Sequence, residues 1–151
     1  MAASGIAQAG GQAGSLGVGA EFQLSGLGGA SLNYDAGDFH VGGFLGFDDD
    51  DGADNTIWSL GARFYYHVHS TAMSDFGVGG SLGIVSFPEM GGPDPDRLTG
   101  VFLEPGVQLR VFLAANVAIS AATGVSLGVV DASGVVISGQ VITGGIHYYF
   151  F

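Results

Sequence analysis

The chain has 151 residues, one domain's worth, and its 14 acids against 3 basic residues give a formal net charge of −11. With no lysine, and arginine only as Arg63, Arg97 and Arg110, it lacks the clustered cations that a nucleic-acid binder needs. It is 47% hydrophobic and 11% charged, with 29 glycines in no G-X-Y period and no cysteine, which excludes disorder, collagen, disulfides, thiolate metal sites and thiol nucleophiles.

Met1 to Gly14 carries neither a basic n-region nor a long apolar run, so it does not read as an intact signal peptide. Ala7-Gln8-Ala9 has the form of a cleavage site, and residues 1–14 are expected to be a flexible tail ahead of a folded domain over 15–151. From there the chain alternates with period two, the signature of strands with two unlike faces. In the first segment Leu16, Val18, Ala20, Phe22 and Leu24 oppose Gly17, Gly19, Glu21, Gln23 and Ser25. In the third, Phe39, Val41, Gly43, Leu45 and Phe47 oppose His40, Gly42, Phe44 and Gly46. In the fourth, Trp58, Leu60, Ala62, Phe64, Tyr66 and Val68 oppose Ile57, Ser59, Gly61, Arg63, Tyr65, His67 and His69. In the sixth, Val101, Leu103, Pro105, Val107, Leu109, Val111 and Leu113 oppose Phe102, Glu104, Gly106, Gln108, Arg110 and Phe112.

Gly, Pro, Asp and Asn clusters divide the chain into eight segments, 15–25, 29–35, 39–47, 56–69, 75–87, 98–113, 117–130 and 135–151. The uncharged run Val111 to Val130 has the length of a transmembrane helix and a G-x-x-x-G at Gly124 and Gly128. Its polar and β-branched residues, and the turn-like Ala114-Ala115-Asn116, favour strands instead. A soluble lipocalin-like barrel would put its large apolar side chains inside. Here the polar face is the one dense in glycine and buried-type charge, and the apolar face is bulky and uncharged. That is the inside-out pattern of a membrane barrel, and it predicts an all-β, eight-stranded antiparallel up-and-down transmembrane β-barrel.

The connectors alternate in character. Gly26–Gly28, Asp48–Asn55, Pro88–Arg97 and Asp131–Gly134 fall at one end, and Ala36–Asp38, Ser70–Ser74 and Ala114–Asn116 at the other. The end with the long loops is expected to be extracellular and the short turns, with both termini, periplasmic. Nine of the fourteen acids lie in the long-loop set, Glu21, Asp35 and Glu104 have lumen parity, and Asp38 and Asp75 sit at the periplasmic rim. Outward aromatics form two girdles, Phe47 and Trp58 above, and Tyr34, Phe39, Phe64, Tyr66 and Phe76 below.

In the last segment Ile142, Ile146, Tyr148 and Phe150 compete with Val141, Thr143, Tyr149 and Phe151 for the outer face, a conflict that a β-bulge resolves. His147-Tyr148-Tyr149-Phe150-Phe151 ends on a phenylalanine. With that ending, residues 15–151 resemble the small eight-stranded outer-membrane proteins, the OmpA transmembrane domain and the OmpX and OmpW families. The resemblance implies that Tyr149 and Phe151 belong to the signal read by the barrel-assembly machinery, and that membrane lipid and lipopolysaccharide surround the barrel. The barrel is expected to run to Phe151, with no OmpA-like peptidoglycan-binding domain expected after it.

An eight-stranded barrel is just wide enough for side chains to fill it. The expected lumen lining is Glu21, Gln23, Asn33, Asp35, His40, Arg63, Tyr65, His67, Glu104, Gln108 and Arg110, with Glu21, Arg63, Glu104 and Arg110 in a paired network, because buried charges need partners. Such a network reads as a structural plug, with a proton path or narrow ion pore as the alternative. His67 and His69, two residues apart, read as lumen lining before a metal pair, for want of further ligands. Lipid A enzymes with Ser, His and an acid would make His67 catalytic, but no nucleophile motif lies beside it. The run Asp48, Asp49, Asp50, Asp51, with Asp54, is a solvated acidic loop, or, in the sharper reading, a collector of divalent cations bridging to lipopolysaccharide. A smooth outer surface at Gly80, Ala121 and Val125 would permit homo-oligomers. The expectation is a non-enzymatic structural or surface-interaction protein without a cofactor, with a narrow channel and then a lipid-modifying enzyme as alternatives.

Overall fold

The structure, a computed structural model, describes residues 12–49, 55–89, 96–131, 134–138 and 142–150. The strands are β1 (Leu16–Phe22), β2 (Gly28–Asp35), β3 (Phe39–Asp48), β4 (Ile57–Ser70), β5 (Ser74–Pro88), β6 (Arg97–Ala114), β7 (Val117–Gly124), β8 (Ser126–Val130), β9 (Gly134–Ser138) and β10 (Thr143–Phe150). Each pairs antiparallel with its neighbours, and β1 pairs with both β2 and β10, so the sheet closes on itself. β7 with β8, and β9 with β10, are each one wall strand interrupted, which makes an eight-stranded up-and-down barrel. β9 pairs with β8 alone among the described residues, so closure between β1 and the last wall strand runs through β10.

The first interruption has a covalent cause. The register that pairs Gly106 with Gly124 and Leu103 with Leu127 places Val125 opposite Pro105. Val125 N donates to Pro105 O at 3.1 Å, but proline has no N–H to return the bond, and the ladder breaks there. The second interruption spans residues 139–141, which lie outside the described residues, as does the bulge expected in the last segment. β9 pairs Ser126 with Ser138, whereas β10 pairs Ala122 with Thr143, so one extra residue lies between the two halves. Ile137 therefore faces out with odd parity, and Ile142, Ile146, Tyr148 and Phe150 face out with even parity.

The outer face is the apolar one. Leu60 on β4, and Leu82 and Leu103, which pair across β5 and β6, are each 54% exposed, while Arg63, Glu104 and Arg110 on the opposite face of β4 and β6 are buried. The inner face is dense in glycine because the bore is narrow. Phe102 lies where a Cβ on Gly128 would sit, Phe44 lies against Gly61, and Gly17 and Gly19 on β1 leave room for the rings of Tyr149 and His147.

Three expectations are corrected. β1 ends at Phe22 rather than residue 25, because Gln23 N bonds Leu27 O (2.7 Å), Gly26 N bonds Gln23 O (2.9 Å) and Gly26 takes a φ of 89°; this turn tips Leu24 inward to 3% exposure instead of out. His69 leaves lumen parity because a bulge at Val68 shifts the β4–β5 register between His67 and His69, and both Val68 and His69 face out. Ile57, at the top of β4, is 39% exposed and likewise not in the lumen. Of the expected tail, residues 1–11 lie outside the described residues, and Gly14 N is held by Asp35 O at 2.7 Å.

The Phe102–Gly128 contact gives a test. Gly128→Ala is expected to destabilise the barrel by about 1–3 kcal/mol through overpacking. In a Phe102→Leu background the same change is expected to lose at least half of its effect, as read from urea unfolding midpoints in a double-mutant cycle.

Candidate functional site

The inner face of the barrel holds nearly all of its buried polar groups, arranged in layers along the axis. Nearest the short turns, Arg110 on β6 donates through Nε and Nη2 to Asp75 Oδ2 (3.1 and 2.7 Å), and Nη2 also lies 2.5 Å from Asp35 Oδ2. Its Nη1 donates to Tyr149 OH (3.1 Å), and the guanidinium sits 5.0 Å above the Phe112 ring. Beside this group His67 Nδ1 lies 2.7 Å from Gly37 O and His67 Nε2 lies 2.8 Å from His40 Nδ1. A carbonyl only accepts, so Nδ1 of His67 carries a hydrogen, and in the neutral ring Nε2 accepts from His40. The Tyr65 ring stacks on His40 at 5.6 Å, and Gln108 is buried in the same wall.

The middle layer centres on Arg63 of β4. It forms an ion pair through Nη1 with Glu21, and its Nη2 and Nε donate to Asn33 Oδ1 at 2.6 and 3.2 Å. Asn33 Nδ2 donates to Tyr149 OH at 3.4 Å, so Asn33 and Tyr149 join the Arg63 group to the Arg110 group in one network. Ser31 Oγ and His147 Nε2 are 2.5 Å apart across the gap left by Gly19.

Toward the long loops lies Glu104, 2% exposed. Its Oε2 accepts from Leu24 N and Ser81 Oγ, both at 3.0 Å, and its Oε1 from Ser25 N at 2.6 Å and Ser126 Oγ at 2.9 Å. Two donors come from the wall and two from the inward turn between β1 and β2. Beyond Glu104 toward the long loops, Val85, Phe102 and Val130 form a buried apolar cluster, with Leu27 of the turn and Phe87 packed on them. Between Glu104 and Arg63 there is an enclosed cavity of about 10 Å³, room for a single water.

The expected lumen residues Glu21, Arg63, Tyr65, His67, Glu104, Gln108 and Arg110 all lie on this inner face, but the expected pairing is corrected. Glu104 has no arginine partner and is held by neutral donors. Arg110 pairs instead with Asp35 and with Asp75, which was expected at the periplasmic rim and is 4% exposed. Tyr149, expected as part of an assembly signal, is 1% exposed and is a hub of the network; Phe151 lies outside the described residues. The spacing of Tyr149 from His147 places both on one face and is the signal that could have found it. Asn33 could be assigned to the lumen from parity but not to Arg63, which approaches from β4 across β3.

The girdle residues Tyr34, Phe47, Trp58, Phe64, Tyr66 and Phe76 are exposed on the outer face; Phe39 is half-buried against Phe64, their rings 5.4 Å apart. Among the acidic run, Asp48 and Asp49 are exposed, Asp49 Oδ1 accepts from Thr56 Oγ1 (2.8 Å), and Asp50, Asp51 and Asp54 lie outside the described residues. Among the described residues no group of three or more His, Asp or Glu is placed to hold a metal.

No protein-family model and no curated protein matches the sequence. Among solved structures, the chain is similar to the N-terminal β-barrel domain of Pseudomonas aeruginosa OprF, with a TM-score of 0.60 and 15% identity over 91% of this chain and 98% of that one. It is also similar to Ail, the attachment invasion locus protein of Yersinia pestis, with a TM-score of 0.48 and 16% identity over 92% of this chain and all of that one. The likeness to the OprF domain shows that the fold is that of a small eight-stranded barrel.

The network predicts a large effect at its cation. Arg110→Met leaves the Asp35 and Asp75 carboxylates facing each other without a counter-charge, and is expected to destabilise the barrel by about 3–5 kcal/mol. Adding Asp35→Asn and Asp75→Asn should recover most of that loss, as measured by urea unfolding in lipid vesicles.

Proposed function

We propose that this protein is an outer-membrane β-barrel with a structural or surface-interaction role and a lumen closed by its own side chains. The observation that carries the reading is the division of the wall, with leucine, valine and aromatic side chains exposed outside and paired charges inside. Exposing that outer face to water would be unfavourable, whereas bilayer hydrocarbon is the solvent it fits. No described helix is long and apolar enough to cross a membrane, and in this reading the strands do the crossing. The long-loop end, where Asp48, Asp49, Glu89, Asp96 and Asp131 are exposed, faces outward, and the short turns face the periplasm. Lipid and lipopolysaccharide are the immediate surroundings, and the barrel-assembly machinery the partner in insertion.

A non-enzymatic role agrees with the geometry at His67, the residue on which a lipid-modifying reading would rest. It is 9% exposed, and both of its ring nitrogens are engaged by His40 and Gly37. The channel reading meets a filled bore, because the Arg110, Arg63 and Glu104 layers and the Val85–Phe102–Val130 cluster stand in series along it.

Refolded protein run unboiled on a gel is expected to migrate at a mobility different from that of the boiled sample, and to give no reproducible single-channel steps in a planar bilayer. Discrete steps from pure protein would show that the lumen conducts and would replace the closed-lumen reading with the channel one.

A further inference from the structure

The turn between β1 and β2 dips into the mouth of the barrel, with Gln23 and Leu24 buried, Ser25 and Leu27 half-buried and Gly26 exposed. Its backbone N–H groups, at Leu24 and Ser25, rest on the carboxylate of Glu104, and Leu27 rests on the collar of Val85, Phe102 and Val130. The wall has been cleared for it. On Gly83, across β5, a Cβ would come within 3.1 Å of Leu27 Cδ1 and 3.3 Å of Gln23 Oε1. We propose that residues 23–27 are a displaceable plug seated in a binding pocket, and that the vacated pocket takes an ammonium or guanidinium group carried on a small apolar body. This rests on the reading of the chain as a membrane barrel with a closed lumen.

The ligand class follows from what the turn presents and what it leaves behind. The turn offers N–H donors to a carboxylate and a branched aliphatic chain to an apolar ring. The groups bonded to the carboxylate are two amides and two hydroxyls, none of them a cation. A cation hydrogen-bonds a carboxylate more strongly than a neutral N–H does. A donor that carries charge and an apolar flank therefore matches the pocket better than the turn does.

Displacement is favoured by the turn's own construction. Its closing bonds, Gln23 N to Leu27 O and Gly26 N to Gln23 O, are internal, so it can leave as a unit. The N–H groups that it withdraws from Glu104 regain partners in water at the mouth, which Ser81 and Ser126, fixed in the wall, cannot do. Gln23 gains directly. Its side chain is 3% exposed, neither its Oε1 nor its Nε2 has a hydrogen-bond partner among the described residues, and both reach water when the turn moves out. The pocket is blind, because Arg63, paired with Glu21, fills the bore beneath it.

The chain has no cysteine, so a single introduced thiol is a clean probe. Ala122, 8% exposed, lines the cavity beside Glu104. In Ala122→Cys alone, labelling by water-soluble methanethiosulfonates is expected to be slow. In Leu24→Ser/Leu27→Ser/Ala122→Cys, which frees the turn from the collar, the trimethylammonium reagent is expected to react about tenfold faster than the sulfonate reagent. Adding Glu104→Gln should abolish that preference, and all of these variants should remain silent in planar bilayers. Equal rates for the two reagents while Glu104 is present, or labelling no faster than in Ala122→Cys alone, would overturn the proposal, and conductance steps would overturn the blind pocket. Gel mobility without boiling reports separately whether the barrel has formed, so a failure of the barrel reading is distinguished from a failure of the plug. If the double serine variant does not form a barrel, Glu104→Ala/Ala122→Cys takes its place. There the turn loses its anchor, and both reagents should label faster than in Ala122→Cys alone; unchanged labelling would overturn the plug.

Discussion

Eight strands enclose a bore just wide enough for side chains to fill. In a barrel whose apolar residues are committed to the outside, the filling has to be polar, and a polar group removed from water is tolerated only with a partner. Most of what the inner face shows follows from those two conditions. Arg110 lies between two carboxylates, Arg63 lies between a carboxylate and an amide, and Glu104 is surrounded by four donors. The glycines belong to the same solution, because several large inner side chains lie across a neighbouring strand where a Cβ would obstruct them, as Phe102 does at Gly128 and Phe44 at Gly61.

Among the described residues the inner face carries more carboxyl groups than guanidinium groups. Four buried carboxylates, Glu21, Asp35, Asp75 and Glu104, share the lumen with two guanidinium groups, on Arg63 and Arg110. The carboxylate in contact with neither arginine, Glu104, is the one that recruits backbone. A sheet N–H is already committed to its ladder, so free backbone donors have to come from a turn. That links the buried charge on β6 to the inward course of the chain after Phe22, and makes a local feature of the first turn a consequence of the composition of the bore.

The barrel was legible in the sequence because period two is a property of each strand by itself, and four segments obey it without reference to one another. What could not be read depends on relations between strands. Arg110 and Asp35 meet across the lumen, and the stagger that brings them together is set by closure rather than by any local pattern. Asp75 looks like a rim residue from its place beside a turn, yet it is directly opposite Arg110 in the β5–β6 register. Leu24 continues the apolar alternation of β1 and still turns inward, because the strand has ended two residues earlier. His69 is displaced by one bulged residue at Val68. In the last segment the conflict of parities was itself informative, since only an inserted residue lets Ile137 and Ile142 share the outer face. The partners of Glu104 were hidden for another reason: two of them are main-chain N–H groups, which residue type does not reveal.

The account stands or falls on which solvent meets the outer face. Trp58, the sole tryptophan, lies on that face near the long-loop end and is 40% exposed. Its fluorescence in protein refolded into vesicles should be quenched strongly by lipids brominated along their acyl chains and weakly by iodide in the buffer. Efficient quenching by iodide with no response to the brominated chains would place this face in water and contradict the inside-out barrel.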